Sequence, residues 1–115
     1  MTQDEYRRSL LASLLEFSTP LQDLRTKLAA VPWDSSEELS VLQTRHVEAI
    51  LTRYLAGELS SNAVEEWANA VEGREDIGFE VGHESVLKAA IFALANPALE
   101  GHLNSAMAKE WLGRL

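Results

Sequence analysis

Apolar positions recur at three- and four-residue steps over most of this chain, the spacing of amphipathic helices. Over residues 2–17 the step is carried by Tyr6, Leu10, Leu11, Leu14, Leu15 and Phe17. Thr2 is placed to cap, and Asp4 and Glu5 occupy the first turn, where the helix dipole favours acids. Ser18-Thr19-Pro20 interrupts the pattern, and Leu21, Leu24 and Leu28 carry it on as far as Val31, either as a new helix or past a kink. Pro32-Trp33-Asp34-Ser35 breaks it again. Ser35 or Ser36, with Glu38 nearby, is then a capping signal for a long helix through Leu39, Leu42, His46, Val47, Ile50, Leu51 and Tyr54, which Gly57 ends. After Ser60-Ser61, Val64, Trp67, Ala68 and Val71 fall at i, i+3, i+4 and i+7, which turns Glu65, Glu66, Asn69 and Glu72 outward. Gly73 suits the left-handed position that closes such a helix.

The stretch "EGREDIGFEVGHES" at 72–85 departs from this period. Ile77, Phe79 and Val81 alternate with Gly78, Glu80 and Gly82, so the period changes to two and an extended segment is expected. No second strand-like run is evident for it to pair with. A short segment whose backbone is met by water and helix ends, with Phe79 inward, is preferred over two copies pairing across a twofold axis. Facing copies of Glu75, Asp76 and Glu80 would repel, so a monomer is favoured over a homodimer. Residues 84–95 form a buried helix that Asn96-Pro97 stops, and Asn104 caps a last helix carrying Met107, Ala108, Trp111 and Leu112. Trp67 and Trp111 belong to the core by their spacing, whereas Trp33, in a break, either closes the bundle end or stands exposed as an anchor. The expected fold is all-α: one domain over 1–115, a bundle of five to six helices with a glycine-hinged extended loop at 73–83.

Composition agrees with that picture. A 46% apolar content in 115 residues suffices for a single packed core. The absence of cysteine excludes disulfides, thiolate metal sites and cysteine nucleophiles. The most apolar run, 86–95, is about half the roughly 20 residues a bilayer requires. The first fifteen residues lack a small-residue cleavage site, so a secretory signal is not expected and the cytoplasm is the default location.

Charge changes the picture more. The net charge is −8, and residues 57–84 hold eight acids against Arg74 alone. A field of that sign repels nucleic-acid phosphate and anionic lipid and attracts a basic protein surface. It also describes a solvated helix face that keeps a protein in solution. His46, His83 and His102 are far apart, with no H-x-x-x-H or H-E-x-x-H pair, and the calcium-loop pattern is absent. His46 lies on the inner side of its helix and reads as a hydrogen-bonded, semi-buried residue. No glycine-rich phosphate loop, no G-x-S-x-G elbow and no nucleophile with an adjacent base is recognisable, so neither a cofactor nor a metal is expected.

The segments Trp67-Ala68-Asn69, Arg74-Glu75-Asp76-Ile77 and Leu94-Ala95-Asn96-Pro97 together resemble an uncharacterised family of small bacterial all-helical proteins with a W-A-N, R-E-D-I and L-A-N-P pattern. That resemblance covers roughly the second half of the chain and brings no activity with it. In size, acidity and helical make-up the chain is also similar to bacterial toxin-immunity proteins, which cover a basic toxin domain. The function expected is a non-enzymatic interaction module, with toxin neutralisation as its concrete form. Glu65, Glu66, Glu72, Arg74, Glu75, Asp76 and Glu80 are the candidate partner-binding residues. The alternative is a metal-dependent or hydrolytic enzyme built on the histidines and acids.

Overall fold

A computed structural model describes residues 3–30 and 37–115. The capping role of Thr2, the end of the second helical segment at Val31, the break around Trp33 and the capping signal at Ser35 or Ser36 lie outside the described residues. Helix α1 spans Gln3–Glu16 and α2 spans Leu21–Leu28. The interruption at 18–20 therefore separates two helices, with Phe17 in the left-handed region at φ 48° where α1 ends. Leu11, Leu14, Leu15 and Leu24 are all buried where these two helices pack together and onto the rest of the core.

A short strand, β1 (Ser40–Leu42), comes next, and α3 occupies only Thr44–Leu55. The long helix expected to begin near Ser36 is thus corrected: Leu39 and Leu42 are buried, but Leu42 belongs to the strand and Leu39 to the non-helical residues just before it. Helix α4 (Ser61–Val71) follows, then β2 (Ile77–Phe79), α5 (Glu84–Ala95), the single turn α6 (Pro97–Glu100) and α7 (Ser105–Arg114). The helix starts at Ser60 and at Asn104, the second of them read as a cap, are both closed by side chains. Ser60 Oγ accepts the Ala63 N–H at 3.0 Å, and Asn104 Oδ1 accepts the Met107 N–H at 2.9 Å.

The extended segment is not unpaired. Strands β1 and β2 run parallel, with Ser40 opposite Ile77, Val41 opposite Gly78 and Leu42 opposite Phe79. Among the described residues the fold is therefore mostly helical with one two-stranded parallel ribbon, rather than purely helical with a hinged loop. Parallel strands need a long crossover, and here α3 and α4 supply it. The period of two also stops early: Ile77 is buried and Phe79 half-buried, but Val81 is 92% exposed. Two glycines answer to the geometry of this ribbon. Gly73 turns the chain out of α4 at φ +87°. A Cβ on Gly78 would lie 2.5 Å from the Glu38 side chain that folds over it.

The core is continuous. Helix α4 packs along α5, α3 lies against α7, and α1 against α2. Trp67 is fully buried and donates its Nε1–H to the Leu14 carbonyl at 2.8 Å, which fixes α4 to the last turns of α1. Trp111, 8% exposed, seals α7 with Arg114 stacked 4.2 Å from its ring. Both tryptophans fall where their helical spacing puts them.

Candidate functional site

Of the seven candidate partner-binding residues, the structure places four facing outward to some degree and commits three to its own interior contacts. Glu66, Glu72 and Glu75 are exposed and Glu65 is half-buried, as the outward face of α4 and the turn after it require. Glu72 lies near Asn96 Nδ2, 3.4 Å away, and Glu66 near Asn62 Nδ2 at 3.3 Å, neither of which neutralises a charge.

Asp76 corrects the expectation. Its side chain is fully buried and has no access to a partner. Arg74 binds it in a fork, Nε to Oδ1 and Nη2 to Oδ2, each at 2.9 Å. Arg7, from the middle of α1, donates Nε to Oδ2 at 2.9 Å. The Asp76 carbonyl also accepts the amides of Leu39 and Ser40, at 2.8 and 3.2 Å. One residue thus joins α1, the end of α4 and the start of the ribbon. Burial alone raises the pKa of the carboxyl, but hydrogen bonds from Arg74 and then Arg7, with their charges, hold it below its ordinary 3.8. Glu80 is committed too: half-buried, its Oε1 accepts the Thr44 N–H at 3.0 Å, so it caps α3 from across the ribbon.

Arg7 carries a signal in the sequence that the apolar spacing conceals. It precedes Leu10, Leu11 and Leu14 at i, i+3, i+4 and i+7 and so occupies the inward stripe, while Tyr6, the apolar neighbour counted in its place, is 41% exposed. A charged residue on a buried stripe requires a buried counter-charge.

The histidines are not gathered. His46 is buried, His83 and His102 are exposed, and among the described residues no group of three His, Asp or Glu is placed to hold a metal ion. His46 serves the backbone instead. Its Nδ1 accepts the Gln43 N–H at 2.9 Å at the start of α3, which leaves the ring proton on Nε2, 3.2 Å from Glu16 Oε1. Burial, then the Arg45 charge, pushes its pKa below the ordinary 6.5, with Glu16 opposing. Glu16 is itself lowered from 4.5, chiefly by its hydrogen bond from Arg45.

The pH dependence follows from these directions. A histidine whose pKa is depressed on folding binds its proton more readily in the unfolded chain, so its contribution is complete above 6.5 and declines as pH falls below that value. Asp76 and Glu16, also depressed, contribute above their ordinary values and lose that contribution as pH falls further. The urea midpoint is therefore expected to be level above about pH 7, to fall in a first step below about pH 6.5 and in a second below about pH 4. His46→Gln should flatten the first step and leave the second; a first step unchanged in that variant would show that His46 is not its source.

Two concavities adjoin the acidic segment. One, of about 160 Å³, lies between the start of α4 and residues 101–107 and has Ser61, Glu65, His102 and Met107 in its wall, with no hydrogen bond linking Ser61, Glu65 and His102. The other, an open groove of about 340 Å³, lies between the end of α4, β2 and α5. No helix among the described residues is long and apolar enough to cross a membrane. Comparison with protein-family models, curated proteins and solved structures returns no match to this chain.

Proposed function

We propose that the chain is a non-enzymatic protein-binding module that offers an acidic surface to a basic protein partner, with neutralisation of a basic toxin domain as its concrete form. One observation carries the reading. Asp76 and Arg74 neutralise each other inside, so the burial of one acid removes no net negative charge from the surface. The seven remaining acids of residues 57–84 are left with no uncommitted base from the same segment. Glu58 shares one with Arg53 of α3, at 3.4 Å. The fork between Arg74 and Asp76 also ties together the two neighbours of Glu75, so the backbone that presents this exposed carboxylate is braced before a partner arrives.

The reading is tested by pull-down from the native host at low and moderate salt, with the chain and a Glu65→Gln, Glu66→Gln, Glu72→Gln and Glu75→Gln variant as baits. The expected result is a basic protein retained by the wild type, retained less as salt rises, and lost by the variant, because steered association of opposite charges weakens with screening. Failure to recover a basic partner at either salt, or equal retention by the variant, would overturn it.

A further inference from the structure

The groove between α4, β2 and α5 does not share the sign of its surroundings. Its floor is apolar, made by Val71, Phe79, Ile91 and Phe92. Phe92 is 42% exposed although it sits on the most apolar helix of the chain. Lys88 and Phe92, one turn apart on α5, stand on the same side, and the Lys88 ammonium lies 5.5 Å from the centre of the Phe79 ring. In a chain with eight excess negative charges, this exposed ammonium has no carboxylate within 4.0 Å among the described residues. Arg74 enters the wall as well: Nε and Nη2 are taken by Asp76, which leaves Nη1 as a donor with no hydrogen bond among the described residues. Because Asp76 already compensates the charge of Arg74, the charges left open in the wall are the Lys88 ammonium and one carboxylate, Glu72.

We propose that this groove is a binding site for a small monocarboxylate with an aryl or alkyl body, independent of the acidic surface. The body lies between Phe79 and Phe92, and the carboxylate meets Lys88 Nζ, with Arg74 Nη1 as a second donor. Three properties of the groove select this class. The apolar floor requires an apolar body. A cation resting on an aromatic face is held weakly enough to exchange for a charge-assisted hydrogen bond. The volume lies at the lower end of the roughly 300–1,000 Å³ that small-molecule sites span, too little for a folded segment.

The test is a backbone amide NMR titration with 3-phenylpropionate and, in parallel, its neutral amide. The acid is expected to give saturable shifts confined to residues 71–74, 79 and 88–92, with a dissociation constant on the order of 1 mM or tighter for a ligand of this size. The amide should bind about tenfold more weakly, and Lys88→Gln should lose about tenfold for the acid while barely changing affinity for the amide. Because Lys88 is exposed, the variant should melt as the wild type does. Equal affinity for acid and amide, unchanged affinity in Lys88→Gln, shifts scattered away from the groove, or no shift at about 10 mM ligand would each overturn the proposal.

Discussion

Trp67→Ala is expected to destabilise the protein by about 3–5 kcal/mol, the range for truncating a buried large aromatic. Two losses combine. The side chain is fully buried where α4 meets α1, so its removal leaves a cavity lined by residues that are themselves anchored. The Leu14 carbonyl, which accepts the indole N–H at 2.8 Å, also loses its side-chain donor near the end of α1. Trp67→Phe separates the two, since it keeps most of the ring and deletes the donor, and should lose less than half as much. With total stabilities of about 5–15 kcal/mol usual for domains of this size, the alanine variant stands close to unfolding. Urea midpoints at constant slope provide the measurement. A Trp67→Ala midpoint within experimental error of the wild type would mean that α4 does not depend on this contact.

Asp76→Ala is expected to be of similar severity, about 3–5 kcal/mol, for a different reason: it leaves Arg7 and Arg74 without the carboxylate they share, in a site from which water is largely excluded. Glu75→Ala, one residue away and exposed, is the internal control, with an expected change within about 0.5 kcal/mol. Asp76→Asn should fall between them, because the amide oxygen accepts one arginine hydrogen bond but carries no charge. The contrast between neighbours is the informative result. If Asp76→Ala and Glu75→Ala lose equal stability, the buried cluster contributes nothing that a solvated carboxylate would not.

How far the sequence led depends on the range of the interaction concerned. The stripe of Val64, Trp67, Ala68 and Val71, the helix start at Ser60-Ser61, the cap at Asn104 and the turn at Gly73 are local, decided within four residues, and the structure has them where the spacing puts them. Strand β1 escaped notice because it is three residues long, and the apolar residues at 39 and 42 that bracket it are three apart, the step of a helix. Its partner lies beyond two intervening helices, and no pattern within either segment announces the other. The acids at 75, 76 and 80 looked alike as a run of charge, and only tertiary contacts distinguish them. Glu75 faces water, Asp76 binds two arginines, and Glu80 caps a helix. For Asp76 the clue was at the far end of the chain, in the arginine that interrupts the leucine stripe of α1.

The parallel ribbon also sets an order of events in folding. β1 and β2 cannot zip from a tight turn, since all of α3 and α4 lies between them, so the ends of that long loop must be brought together before any strand hydrogen bond forms. The Arg7 to Asp76 bond closes a still longer loop, spanning 69 positions. Contacts of such high sequence separation carry a large loop-closure cost, and these two are expected to form late, when the helices are already condensing on one another. Loss of the Asp76 carboxylate should then appear in the kinetics as a faster exit from the native state, with refolding almost unchanged, because interactions absent from the transition state act on the unfolding arm of the chevron. A refolding rate that drops by the full measure of the lost stability would instead place the arginine pair and its aspartate in the folding nucleus.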